Sequence, residues 1–316
     1  MSSTLAGLLA LAVQTIAVTA CAPLLVGVMR QVRARLEGRA GAGVTQPYRD
    51  LLKLTRKTPL TADGTLLGPI LPIVLLGTSG LLVGMLPLIT TLTIPAIPDD
   101  LFVIVSILLL GSVAIALLGL DAGTAFGGMG SSRHMMVTAL VEPTVLVAVY
   151  ALSIPVGVST LSRIVEARLE APGTIISPVS VLALVALAIV VVAETGRLPI
   201  DNPSTHLELT MIHEAMLLEI SGRDLGWVEL SSWLRLTALL GLVANLAAPW
   251  GLATSMSALG LAVGILSLLV KLVVLGGALA TLEVFLAKIR LFRVPELLVA
   301  SFVLAFLSVT ASYLTA

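Results

Sequence analysis

The sequence predicts an all-α integral membrane protein with eight transmembrane helices, an amphipathic interfacial helix and a large cytoplasmic helical loop. Three observations predict it. Hydrophobic residues make up 58% of the 316 and charged residues 11%, whereas soluble domains carry roughly 25% charged residues. Mean hydropathy is +1.10. The apolar text also falls into stretches of about twenty residues, the length that crosses a bilayer core. These are residues 4–29, 66–90, 101–120, 135–157, 174–193, 233–254, 257–282 and 296–315. Together they form one polytopic domain over 1–316, with cytoplasmic loops at 30–65 and 194–232.

The first span contains Val18-Thr19-Ala20-Cys21, which looks like a lipoprotein cleavage box. No basic segment precedes it, and the apolar run continues to Met29. It therefore reads as a plain transmembrane helix. A single cysteine excludes a disulfide framework, a cysteine-ligated zinc site and an iron–sulfur cluster held by this chain alone. A net charge of zero gives no reason to expect a nucleic-acid partner.

Basic residues orient the spans. Arg30, Arg33, Arg35, Arg39, Arg49, Lys53, Arg56 and Lys57 follow the first span. Arg133, Arg197, Arg223, Lys288, Arg290 and Arg293 lie in other loops of the same side, and only Arg163 and Arg168 lie opposite. The positive-inside rule then puts both termini outside and the 194–232 loop in the cytoplasm. Pro47 suits the first position of a helix. After it, Tyr48, Leu51, Leu52 and Thr55 recur at i, i+3, i+4, i+7, with Arg49, Lys53, Arg56 and Lys57 on the other side. This helix either anchors in the lipid interface or forms a rim for a peripheral subunit. Arg39, Gln46, Arg49, Asp50 and Lys53 are its docking candidates.

Ionisable residues inside a membrane protein are costly and mark function. Asp121, Glu194 and Glu283 end spans three, five and seven, and Glu142 enters span four by about two turns, roughly 10 Å. Four acids from four helices are thus expected in one half of the bilayer, where carboxyls joined by water relay protons. The plain alternative for Asp121 and Glu194 is solvation among the headgroups. Pro143 is expected to kink the helix beside Glu142. Lys271, in mid-span, pairs with an acid, snorkels or serves packing.

Between 194 and 224 the apolar text opens into Glu194, Arg197, Asp201, His206, Glu208, His213, Glu214, Glu219, Arg223 and Asp224. Asn202 and Pro203 read as the cap and first turn of a helix to about Ile220. That helix would carry Glu208, Ile212, Ala215 and Glu219 close to one face. His213-Glu214 lacks the second histidine of a zinc-protease motif, because position 217 is Leu. No metal site is expected.

Three segments carry a resemblance: GRAGAGVTQPYRDLLKLTRK (38–57), AETGRLPIDNPSTHLELTMIHEAMLLEISGRDL (193–225) and LEVFLAKIRLFRVPELL (282–298). The chain resembles the membrane-subunit family shared by respiratory complex I and by related membrane-bound nickel–iron hydrogenases. The closer likeness is to the formate hydrogenlyase and hydrogenase-4 branch; the quinone-reducing branch reads more like ETNRAPFDLPE at the start of the middle segment. The resemblance implies a non-catalytic subunit of an inner-membrane oxidoreductase complex. Such a subunit seats a peripheral arm of hydrogenase-like small and large subunits and links redox chemistry to ion movement in antiporter-like partners. The chain itself holds no cofactor; nickel–iron and iron–sulfur centres would sit in partner subunits. The implied proton-pathway residues are Asp121, Glu142, Glu194, Glu208, Glu214, Glu219, Lys271, Glu283 and His134. The last stands where the family often has an acid, and an unperturbed histidine titrates near neutrality. Arg197, Asp201, His206, His213 and Arg223 would face the peripheral arm. Two other readings remain open from the residues: the quinone-site subunit of an NADH:quinone oxidoreductase, and a stand-alone proton-coupled transporter.

Overall fold

The computed structural model describes residues 3–60, 65–92, 99–201 and 211–315. They form eleven α-helices. Six are long and apolar enough to cross a membrane: α1 (Ser3–Leu36), α4 (Leu101–Asp121), α5 (Ala125–Ser153), α9 (Gly222–Ala247), α10 (Ala258–Phe285) and α11 (Val294–Thr315). Two more are apolar but shorter, α3 (Leu71–Met85) and α7 (Pro178–Glu194). Three are short: α2 (Gln46–Thr55), α6 (Leu161–Glu170) and α8 (His213–Leu217). Helix α5 lies at the centre, packed on α4, α7, α11 and α8, while α1 pairs with α10 and α3 with α9. One apolar core runs through the bundle, and a smaller one joins the feet of α3, α4 and α9 to α8.

The span expected at 135–157 begins ten residues earlier. Thr124 caps α5 by accepting from the Gly127 amide at 3.2 Å. Two of the glycines that follow, Gly127 and Gly130, are contact points. A Cβ at Gly127 would stand 2.1 Å from the Gly119 carbonyl, and one at Gly130 would stand 3.0 Å from Ala215. Small residues here let α5 close on α4 and α8. Pro143 lies inside a helix that continues through it. The span expected at 233–254 likewise begins earlier, at Gly222, whose φ of +60° and close approach to Thr58 leave no room for a side chain.

The span expected at 66–90 is helical only over Leu71–Met85. Beyond it the chain runs irregularly, so its backbone groups need other partners. Gln14 supplies them from α1, donating to the Val83 and Leu86 carbonyls at 2.8 Å each and accepting from Ile89 N at 3.0 Å. Asn245 donates to the Pro87 and Leu88 carbonyls. Lys271 donates to Asn245 Oδ1 at 2.9 Å and to the Trp250 carbonyl at 2.8 Å. Lys271 therefore braces this bend and the turn after α9, and it forms no ion pair with the expected acids.

Candidate functional site: a carboxyl pair on one arginine

Helix α7 is only 17 residues long and ends at Glu194. The chain then continues through Thr195 to Asp201, with Ile200 and Asp201 buried. Glu194 is therefore enclosed by the bundle rather than solvated at a surface. It meets Ser112 of α4 and Arg235 of α9, from the middle of two longer helices, and both of these also reach Glu142 of α5. Glu142 lies seventeen residues from the start of α5, about 25 Å along its axis, and so deeper than the two turns expected.

Arg235 organises the group. It forms an ion pair with Glu194, lies 3.8 Å from Glu142 Oε1, and donates to Ser112 Oγ at 2.6 Å and to the Leu108 carbonyl at 2.9 Å. The Ser112 hydroxyl stands 3.3 Å from Glu194 Oε1 and 3.4 Å from Glu142 Oε1. Its single proton can go to one carboxylate at a time. The second oxygen of each carboxyl, Arg235 Nε and His134 Nε2 are buried without a protein partner. A cavity of ≈ 50 Å³ touches Glu194, Arg235, His134, His213 and Ser79. A water's share of liquid is about 30 Å³, so there is room to bridge these groups.

A larger cavity of ≈ 160 Å³ adjoins it, sharing Thr195, His213 and Ser232 in its wall. Arg30, Arg33, Arg197, Asp201, Glu214 and Glu229 line the rest. Here burial holds His213 below the ordinary imidazole range, against the pull of Glu214 and Asp201. Burial pushes Glu214 above the ordinary carboxyl range, with His213 pulling it down. The two shifts oppose each other in pH. A depressed His213 contributes stability that is lost as pH falls below 6.5 towards its folded value. A raised Glu214 contributes stability that is lost as pH rises through its folded value. Relative to wild type, the melting temperature should therefore drop further between pH 7.5 and 5 in Glu214→Gln, which removes the opposing carboxyl, and drop less or rise in His213→Gln. Parallel slopes in thermal melts of the two variants would contradict this.

The chain matches known proteins over nearly its whole length. The family model described as NADH dehydrogenase covers residues 8–314. This chain belongs to that NADH dehydrogenase family. Formate hydrogenlyase subunit 4 of Escherichia coli (strain K12) is 32% identical over 297 residues, covering 94% of this chain and 95% of the relative. Hydrogenase-4 component C of the same organism is 30% identical over 291 residues, covering 90% of each. An NADH-quinone oxidoreductase subunit of Koribacter versatilis (strain Ellin345) is 28% identical over 199 residues, 57% of this chain and 46% of that protein. A chain in the structure of the membrane-bound sulfane sulfur reductase, an archaeal respiratory membrane complex, shares the fold. Its TM-score is 0.82 at 19% identity, covering 99% of this chain and 100% of that one.

Within this NADH dehydrogenase-family fold, the four acids expected at one depth separate. Only Glu142 and Glu194 meet. Asp121 accepts from the backbone amides of Leu66, Leu67 and Gly68 at 2.8–3.1 Å and so fastens the chain leading into α3. Glu283 pairs with Arg33 and lies 3.6 Å from Arg197, tying α10 to α1 and to the segment after α7. The Glu283 side chain is 1% exposed, whereas the two arginines are 22% and 19% exposed. Glu283→Gln should therefore cost about 1–3 kcal/mol, less than a fully buried pair, because the arginines reach water. Hydrogen exchange over 195–201 should quicken; unchanged exchange there would contradict the clasp.

Asp201 accepts from the Ile212 and His213 amides at 3.1 and 3.0 Å and lies 3.3 Å from Lys288. It holds the segment before α8 in place. His206 and Glu208 lie outside the described residues. From residue 211 onward only His213–Leu217 is helical before α9, and Glu219 is exposed while Ile212 and Ala215 are buried. These three do not share the face expected of them. Helix α2 is present where periodicity placed it, with Pro47 buried and Tyr48 and Leu52 largely exposed. Gln46 donates to Asp50, which pairs with Arg30, and Arg49 and Lys53 are exposed. Arg39 is exposed beside Glu37, and Arg223 lies over the Trp227 ring at 4.9 Å. Sequence reasoning missed Ser112, Glu229 and above all Arg235. A lone arginine within Trp233-Leu234-Arg235-Leu236 was the signal, since a cation in an apolar helix demands an anion.

Proposed function

We propose that the chain is the membrane-anchoring and proton-pathway subunit of a complex I-related respiratory or hydrogenase complex, of the formate hydrogenlyase or hydrogenase-4 type. The observation that carries this reading is Arg235 shared between Glu142 and Glu194 at the bottom of a polar passage. Two carboxyls facing one guanidinium are charge-balanced when a single proton resides on the pair. That proton can move between them through Ser112 and bridging water. His134 and His213 lie between the pair and the outer cavity, where Glu214, Glu229 and Asp201 exchange protons with the surroundings.

Under this reading α3 and α7 complete eight spans. Both termini face outward from an inner membrane, and α2 lies in the cytoplasmic interface. The cavity walled by Arg30, Arg33 and Arg197, with the exposed Arg49, Lys53, Arg39 and Arg223, faces a peripheral arm carrying the nickel–iron and iron–sulfur centres. Antiporter-like subunits would flank the bundle. The higher identity and fuller coverage of the formate hydrogenlyase and hydrogenase-4 relatives favour this branch over a quinone site. The test is purification of the tagged chain from its native membrane in mild detergent. The reading expects a nickel–iron hydrogenase pair and an antiporter-like subunit to accompany it. Recovery of a lone chain across several detergents would sink the anchor and favour a self-sufficient transporter.

A further inference from the structure

At the end of the bundle opposite the carboxyl pair lies a further cavity, of ≈ 370 Å³. Ser180 in its wall and Glu194 both belong to α7, fourteen residues or about 21 Å apart. The wall is mainly apolar, including Leu152, Val156, Ala167 and Val179, and its single charge is Arg168 of α6. Arg168 is 5% exposed. Its Nε donates to the Leu246 carbonyl at 2.8 Å, satisfying one of the last carbonyls of α9. Its Nη1 donates to Ser180 Oγ at 2.8 Å. Its Nη2 is buried and has no hydrogen-bond partner. Among the described residues no carboxylate lies within ion-pair distance of it; nearby Glu166 pairs with Arg163 instead.

A buried cation without an anion is costly, and two structural hydrogen bonds do not neutralise it. The remaining donor edge is a fork suited to phosphate oxygens. The cavity sits where α5 ends and α7 begins, which is headgroup level under the eight-span reading proposed above, on which this inference rests. Its rim residues Pro155, Thr174 and Pro178 are exposed. Its volume lies within the usual range for a bound small molecule, roughly 300–1,000 Å³. We propose that this cavity is a binding site for an anionic phospholipid. The headgroup phosphate sits on the free edge of Arg168, and an acyl chain lies along Leu152, Val156 and Val179. The site is independent of the proton pathway.

The full-length chain, purified in detergent, would be exposed to equal amounts of phosphatidylglycerol and phosphatidylcholine and weighed by native mass spectrometry. The wild type should retain phosphatidylglycerol preferentially through delipidation. Arg168→Gln should lose that preference by roughly tenfold, and Arg168→Lys, which keeps the charge without the fork, should recover only part of it. Val156→Trp, which fills the cavity and keeps the arginine, should also lose retention, and it decides the matter if Arg168→Gln does not fold. Equal retention of the two lipids by the wild type, or retention unchanged in Val156→Trp, would overturn the proposal. Displacement of the lipid by inorganic phosphate at modest excess would also overturn it, because it would mark a free-anion site.

Discussion

Replacing Arg235 with methionine should destabilise the protein by roughly 3–5 kcal/mol, the cost of leaving a buried charge without its partner. Methionine fills much of the arginine stem's volume, so the loss reports charge rather than a hole. Three groups lose their cation at once: Glu194, Glu142 and the Leu108 carbonyl. Arg235 also lies 2.9 Å from where a Cβ on Gly111 would stand, so α4 is shaped to receive it. Adding Glu194→Gln to the methionine variant should restore much of the stability, since a neutral amide no longer needs the guanidinium. The check is a double-mutant cycle read by thermal melting in detergent. Additive losses would show that the pair is not the unit described.

Much of the architecture was legible because lipid imposes a simple rule. Residues 4–29, 101–120 and 296–315 fall inside α1, α4 and α11, 257–282 starts one residue before α10, and the periodicity after Pro47 marks α2. The errors have physical causes. The span expected from 135 left out Gly127 and Gly130, yet these are close-packing points of α5. Arg223 and Asp224 read as loop, although their polar side chains stand at the first turn of α9 with Arg223 against Trp227. Span two came out too long because hydropathy cannot distinguish a helix from an apolar bend held by Gln14 and Asn245.

The site was legible by residue type and not by arrangement. Glu142 and Glu194 stood out as acids in apolar text, but depth along each helix does not say which helices touch. Asp121 and Glu283 had the same depth signature, yet one accepts from backbone amides before α3 and the other faces Arg33 and Arg197. The cation that joins the two remaining acids was hidden because one arginine barely lowers the mean hydropathy of a span. Lys271 was the more visible cation and serves the opposite end.

Glu142→Gln is the second large effect expected, and it separates proton movement from structure. The amide is nearly isosteric, its oxygen can accept from Ser112 as Glu142 Oε1 does at 3.4 Å, and the Arg235–Glu194 ion pair is untouched. Folding and assembly should therefore survive. A glutamine cannot exchange a proton, and removing such a positioned group costs roughly a hundredfold or more in the transfer it serves. The measurement is protons moved per electron transferred in vesicles containing the purified complex, for wild type and Glu142→Gln side by side. A proton pathway through this chain predicts that redox turnover persists while protons per electron collapse in the variant. An unchanged ratio would contradict it and reduce the carboxyl pair to a packing feature.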